Sequence, residues 1–518
     1  MTEAASLVGS MTERGAPGHL AVVDGDVRLD YGALHDLVLR SVAALRGLGI
    51  GHGDRVGYLG LNSVDYVVLL QAALRIGAVT VAINWRLSPP EIDYIVTDAG
   101  IALLVTENER LTVATPAIER SGVATVLLTD APHDGRPAFR NWCAGYAPDP
   151  ASAELWAEDV AVQLYTSGTT GHPKGALLTH GALSASMRQG RLTGEDWCRW
   201  TDVDRGLVAM PQFHIGGTGF TFQALNAGGT AVILARPDIG EMLGIVERER
   251  ITKMFAVPAV LGQMLAHPLA ATADLSSLRT LLYGASPISP DVLKRSMKLF
   301  PNASFVQMYG STETCGTIVY LPPEDHDVAG TPRMAGCGKA YPQVELRIIG
   351  ADGTELAAGQ IGEVLVRSPL VMSGYHRLPI ATAQAFDGDW YRTGDSGRLD
   401  ADGYLYLHDR IKDMIVSGGE NIYPAEIENV LHDHPAVRDC AVIGVPDAHW
   451  GEAVRAVVVR AAPIEADELI GFARARLAGY KLPKAIDFVD ELPRNPSGKI
   501  LKRVLRAPYW PADGRQVA

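Results

Sequence analysis

Apolar positions along this chain alternate between two periods. From position 54 onward, strand-type runs at 56–60, 79–83, 103–106 and 125–128 bracket a helix-type pattern at 64–76. Such alternation predicts parallel strands with helices packed on their faces. A further apolar run at 160–164 leads into a polar, glycine-rich interruption. The pattern then resumes with strand-type runs at 206–210, 231–234, 254–257 and 280–283 and a helix pattern at 241–248. Near position 336 its character changes. Runs at 345–349 and 363–367 are bounded by Gly and Asp turns without long helices between them, which predicts a β-rich subdomain over about 336–409. Beyond position 410 comes an α+β pattern: a helix opened by Pro424 with Ile427, Val430 and Leu431 on one face, strands at 440–445 and 454–459, and a helix at 466–477. The fold class is therefore α/β, with a large layered N-terminal domain over 1–409 and a small α+β C-terminal domain over 410–518.

Composition narrows the function classes. With 518 residues, 47% hydrophobic and 20% charged, the chain is too long for one compact core. A net charge of −13 without a Lys/Arg block argues against nucleic acid as a partner, so any bound anion must be captured locally. Cys143, Cys198, Cys315, Cys337 and Cys440 are scattered and form no C-x-x-C, which indicates neither a disulfide framework nor a zinc site. The first residues lack a signal-peptide pattern, and the apolar stretch 66–83 is broken by Gln71, Arg75 and Gly77. The expectation is a cytoplasmic protein without a transmembrane segment.

The interruption reads Tyr165-Thr166-Ser167-Gly168-Thr169-Thr170-Gly171-His172-Pro173-Lys174-Gly175-Ala176. Small residues let a backbone approach an anion, hydroxyls add donors and Lys174 adds a point charge, so phosphate is the natural ligand. It is not a Walker A loop, because Lys174 follows Pro173 and precedes Gly175. Gly284-Ala285-Ser286 and Tyr309-Gly310-Ser311-Thr312-Glu313 each end a strand-type run, where ligands of open parallel sheets sit. Tyr309 offers a ring face to a base, Thr312 a hydroxyl to phosphate and Glu313 a hard oxygen to Mg²⁺. Asp395 at a Gly turn could accept the hydroxyls of a ribose, with Arg410 beside it. Ser417-Gly418-Gly419 and the stretch ending in Lys499 are the remaining punctuated segments. Read singly, each of these also fits an ordinary turn or a solvated charge.

Together, in this order and spacing over roughly positions 29–503, the motifs resemble the AMP-forming adenylating enzymes: acyl-CoA synthetases, peptide-synthetase adenylation domains and luciferases. The similarity is greatest to bacterial fatty-acid-type acyl-CoA synthetases. The resemblance implies ATP-dependent conversion of a carboxylic acid to an acyl-adenylate, with release of pyrophosphate and transfer to coenzyme A. It implies that Thr166 to Thr170 and Lys174 wrap the β- and γ-phosphates, and that Gly284, Ala285, Ser286 and Tyr309 enclose adenine, with Gly310 and Ser311 alongside. Thr312 would touch the α-phosphate, Glu313 with Thr166 would hold Mg²⁺, and Asp395 and Arg410 would bind ribose. Lys499 falls on the catalytic lysine, Lys412 on the hinge of a mobile C-terminal domain, and Gly418 and Gly419 on the pantetheine tunnel. His214, followed by Ile215 and Gly216, falls at the mouth of the acyl pocket, which Gly284 also borders.

The acid and the acceptor stay open at this level. Gly216, Gly217 and Gly219 either make room for a sizeable apolar acid or serve backbone packing. An amino-acid amine or a carrier-protein thiol could replace coenzyme A, and oligomeric state is not legible. A noncatalytic nucleotide sensor is disfavoured because Glu313 and Lys499 are both present. A serine hydrolase lacks its G-x-S-x-G elbow, and a dinucleotide oxidoreductase would need Gly or Ala where Phe222 stands. His432 and His434 read as surface residues without a metal role.

Overall fold

The structure, a computed structural model, describes residues 9–123, 125–129, 131–166, 173–286, 288–410, 413–417, 420–447, 450–477, 479–494 and 500–510. It is a mixed α/β chain with a large N-terminal part and a smaller C-terminal one, as the alternation of periods predicts. One compact unit comprises Met1–Ala285, Val292–Glu345 and Arg367–Tyr391; the other comprises Ser286–Asp291, Leu346–Val366 and Arg392–Ala518.

Two large sheets build the first unit. In the seven-stranded sheet the order is Gly374–Tyr375, Lys174–Thr179, Val160–Thr166, Val79–Ile83, Arg55–Leu59, Ile101–Thr106 and Thr125–Leu128. The last five run parallel to one another, as expected, and Val79–Ile83 is buried at every position because helices cover both faces. The strand Lys174–Thr179 folds back antiparallel on Val160–Thr166, so the glycine-rich segment joins the two arms of a hairpin. The nine-stranded sheet follows the order Lys339–Ala340, Gly316–Leu321, Ser304–Ser311, Thr280–Gly284, Lys253–Ala256, Arg205–Val208, Thr230–Ile233, Leu20–Asp24 and Val27–Asp30. Gly316–Leu321 is also antiparallel to its neighbour, and the N-terminal hairpin 20–30 closes one edge; the sequence pattern foresees neither.

The apolar stretch that ends at position 83 resolves into the helix Val64–Ile76 and the strand that follows it. Ser63 starts the helix by accepting the Tyr66 N–H, and Gly77, at φ 75°, ends it in the left-handed conformation that suits glycine. All thirteen helical residues are buried. Each large aliphatic side chain among them contributes about 1.5–3 kcal/mol relative to exposure. Arg75 is tolerated there because its guanidinium meets Glu13 and the carbonyls of Gly9 and Pro150. Among the described residues no helix is long and apolar enough to cross a membrane.

In the second unit, Glu420–Ile422, Ile415–Ser417, Gly451–Arg460 and Val437–Asp447 form an antiparallel sheet, with Ala485–Val489 added parallel to Gly451–Arg460. Helices Pro424–His432 and Ala466–Arg474 cover one face, burying Ile427, Leu431 and Leu469 against Val442, Val454 and Val458. The second helix stops three residues short of the expected end. Leu405–Arg410 pairs antiparallel with Trp390–Leu399. His432 and His434 are half-buried rather than surface residues: His434 Nδ1 accepts the Ala436 N–H, and its ring stands edge-on to Phe472.

Candidate active site

The hairpin Val160–Thr166/Lys174–Thr179 places Thr166 directly opposite Lys174. Ser167, Gly168, Thr169 and Thr170, between these two feet, lie outside the described residues. Behind the feet, Tyr165 donates its hydroxyl proton to Asp98 at 2.5 Å and receives the Gln163 amide at 2.9 Å. A Cβ on Gly175 would meet Gln163 Nε2 at 2.7 Å, so glycine there lets the two arms pack.

Thr166 reaches Glu313: its hydroxyl donates to Oε1 at 3.2 Å. The Tyr375 hydroxyl donates to the same oxygen at 3.1 Å, and Lys174 Nζ lies 5.1 Å from the Tyr375 ring centroid. Glu313 itself is presented by a tight turn. Ser311 N–H donates to Thr314 Oγ1, whose hydroxyl reaches Gly316 O at 2.8 Å, and Cys315 takes φ 51°. Met372 N–H fixes the Glu313 carbonyl at 2.8 Å. Glu313 Oε2 accepts no hydrogen bond among the described residues. One free carboxylate oxygen beside a hydroxyl fits a hard divalent cation that keeps waters and takes phosphate oxygens as its other ligands. No cluster of three or more metal-binding side chains occurs among the described residues.

Neighbouring strand ends supply the next wall. Gly284 and Met308 are paired across Thr280–Gly284 and Ser304–Ser311, and a Cβ on Gly284 would stand 2.0 Å from Met308 O. Gly310 is equally constrained, 1.9 Å from Gly316 O. Neither position can carry a side chain without displacing that backbone. Ala285 follows with φ 66°, unusual for a residue with a side chain. Tyr309 and Thr312 lie on the same run as Glu313, and Ser286 begins a segment of the second unit. Tyr283, just before Gly284, bonds His326 Nε2 at 2.8 Å, while His326 Nδ1 bonds Pro322 O at 2.8 Å. A carbonyl only accepts, so the proton sits on Nδ1 and Tyr283 is the donor to Nε2.

His214 precedes the helix Ile215–Asn226. Its ring packs on Phe213 at 4.6 Å between centroids, and its Nε2 is shielded from solvent without a partner among the described residues. Burial, reinforced by Arg86, pushes the imidazole down to about 4, so it is neutral at physiological pH. The three glycines that follow divide in two. Gly217 packs on backbone, where a Cβ would meet Pro211 O at 2.3 Å. Gly216 and Gly219, one helical turn apart on one face, meet only Met210 Cε at 3.6 Å and nothing within 4 Å, respectively. A Cβ on Gly316 would lie 3.7 Å from Ile215, bordering the same space.

In the second unit, Asp395 and Arg410 are register partners across Trp390–Leu399 and Leu405–Arg410. Lys412, Gly418, Gly419 and Lys499 lie outside the described residues; Ser417 and Glu420 are paired beside the glycines, and Arg494 bridges Ile500 beside the lysine. Sequence reasoning missed Tyr375 and His326. Each acts across a long separation, and nothing near either in the chain marks it beyond a Gly-Tyr pair at 374–375.

This fold and cleft define an AMP-forming ligase of the acyl-adenylating class. The chain belongs to the AMP-binding enzyme family, whose model matches residues 11–376, with the AMP-binding enzyme C-terminal domain matching 426–499. It is 40% identical over 492 residues to a fatty acid–[acyl-carrier-protein] ligase of Streptomyces coeruleorubidus, covering 94% of this chain and 93% of that one. It is 41% identical over 500 residues to a feruloyl-CoA synthase of an Amycolatopsis species, covering 95% and 96%. The solved structure of ATP-bound MatB from Rhodopseudomonas palustris superposes with a TM-score of 0.88 at 32% identity, over 98% of this chain and 99% of that one.

Proposed function

We propose that this enzyme uses Mg²⁺-ATP to adenylate an aromatic or a medium- to long-chain aliphatic carboxylic acid and then passes the acyl group to the thiol of coenzyme A. The observation that carries the reading is the convergence of Thr166 and Tyr375 on Glu313, with Lys174 against the Tyr375 ring. Lys174 and the segment 166–170 would hold the β- and γ-phosphates. Glu313 with Thr166 would hold Mg²⁺, which when bound neutralises charge on the leaving pyrophosphate. Tyr309 and Gly284 to Ser286 would enclose adenine, Thr312 would meet the α-phosphate, and Asp395 with Arg410 would bind ribose. Lys499 would contact the attacking carboxylate and the α-phosphate, where negative charge gathers. Lys412 would be the pivot on which a C-terminal domain over 410–518 exchanges Lys499 for the Gly418–Gly419 segment.

Space beside Gly216 and Gly219 supports a sizeable acyl group, and the neutral His214 supports an uncharged tail. Arg86, Arg110 and Arg236 gather around Trp85, with guanidinium carbons 4.5, 4.5 and 5.8 Å from its ring. Arg110 pairs with Glu107 and Arg236 with Glu109, and in a chain of net charge −13 the three arginines together support a polyanionic acceptor such as coenzyme A. The high identity to a carrier-protein ligase supports the carrier thiol as second reading. Acid-dependent pyrophosphate exchange across fatty, cinnamic-type and amino acids tests the first half-reaction. AMP release with coenzyme A, a carrier protein or free amino acids then tests the second. Absence of exchange with every acid would return the protein to the noncatalytic sensor reading.

A further inference from the structure

Four neighbouring strands of the nine-stranded sheet begin at Arg205, Lys253, Thr280 and Ser304. These starts lie at the opposite edge of the sheet from Gly284 and Tyr309, and a cavity of about 320 Å³ opens beside them. Lys253 is only 5% exposed. Its Nζ donates to Trp197 O at 3.0 Å and Thr280 Oγ1 at 3.3 Å and lies 5.4 Å from the Trp200 ring, which leaves one of three N–H donors unused. Burial lowers its pKa, so the ammonium is short of compensating charge.

The carboxylate of Asp204 in the same wall is already engaged. It accepts from Thr201 N–H and Oγ1 at 2.9 and 3.0 Å, from Thr252 Oγ1 at 2.7 Å and from Arg279 at 2.8 Å. Arg199, exposed at the rim, makes no ion pair among the described residues. Trp197 is 8% exposed, and its indole N–H is shielded from solvent without an acceptor among the described residues. A buried donor left unmet costs about 1–3 kcal/mol. In this wall three cations, Arg199, Lys253 and Arg279, face two carboxylates, Asp196 and Asp204, although the chain as a whole is acidic.

We propose that this cavity is a second ligand site, which takes a small phosphomonoester with its phosphate toward Arg199, Lys253 and Arg279 and its organic body against Trp197. Phosphate fits better than carboxylate because two guanidinium forks and an ammonium offer more donors than two carboxylate oxygens can use. The cavity also exceeds the volume of bare phosphate, leaving room for an organic body. Strands Thr280–Gly284 and Ser304–Ser311 run from this cavity to the adenine wall, roughly 15 Å away at about 3.3 Å per residue, so the two sites do not overlap.

The test uses the full-length enzyme with ¹⁵N-labelled tryptophan, without ATP or Mg²⁺. Phenyl phosphate, inorganic phosphate and benzoate are titrated separately. The Trp197 indole resonance, assigned by its loss in Trp197→Phe, should shift saturably with phenyl phosphate and more weakly with the other two. Arg199→Ala, at an exposed position that leaves folding intact, should weaken binding by roughly tenfold or more, whereas Lys174→Ala should not change it. An unchanged affinity in Arg199→Ala, loss of the shift in Lys174→Ala, or a response that never saturates would each overturn the site. Equal affinity for inorganic phosphate or for benzoate would overturn the assignment to a phosphomonoester.

Discussion

Thr166 and Glu313 are 147 positions apart in the chain, yet the hydroxyl of one lies 3.2 Å from the carboxylate of the other. Thr166 ends a strand of one sheet and Glu313 lies in the turn after a strand of the other, so this contact marks where the two sheets present their termini to common space. If Glu313 anchors Mg²⁺ there, Glu313→Gln keeps the shape and loses the charge. Acid-dependent pyrophosphate exchange should fall by roughly 10²-fold or more, and raising Mg²⁺ should recover part of the loss. A variant that folds and exchanges at the parental rate removes the metal from this position.

Lys499 should matter for one half-reaction only. Lys499→Ala is expected to slow adenylation by on the order of 10²–10³. The same variant, given preformed acyl-adenylate and coenzyme A, should make thioester at close to the normal rate. Equal damage to both steps would contradict the exchange of segments about Lys412.

The glycines after His214 make opposite predictions within three positions. Gly217→Ala drives a methyl into Pro211 O and should cost about 1–3 kcal/mol, read as a lowered denaturation midpoint. Gly219→Leu has open space around it and should leave stability near the parental value. It should instead lower kcat/KM for the bulkiest accepted acid by roughly tenfold or more while sparing short ones. Unchanged acid preference in Gly219→Leu would move the acyl group elsewhere.

Acid should destabilise the protein partly through His180. Burial lowers this histidine from 6.5 to about 4, and neither ring nitrogen has a partner among the described residues. The neutral form is therefore favoured in the folded state, and below pH 6.5 the unfolded chain binds the extra proton. Stability from this group is fully present above pH 6.5 and is lost as pH falls toward about 4, a loss of roughly 2–3 kcal/mol. Urea midpoints measured between pH 7 and 4 should fall less steeply in His180→Leu than in the parent. Parallel slopes would refute the assignment.

Much of this was legible before any coordinates. Parallel strands and covering helices follow from period, because burial on both faces writes continuous apolar runs. The Thr166 and Glu313 segments follow from residue types whose chemistry has few other uses in combination. The antiparallel strands Lys174–Thr179 and Gly316–Leu321 were not legible, since direction leaves no trace in a strand's own period. Nor were Tyr375 and His326, whose partners lie 62 and 43 positions away. Gly216 and Gly217 are the same residue type side by side, and only the neighbours that a Cβ would meet tell them apart.

That last distinction bears on how such an enzyme can diversify. At 284 and 310 any side chain would collide with main-chain oxygen, so the wall proposed for the purine is fixed by covalent geometry and offers mutation no foothold. At 216 and 219 an added Cβ meets at most Met210 Cε, at 3.6 Å. A randomised library should accordingly yield descendants that accept new acids long before any that accept a different nucleotide.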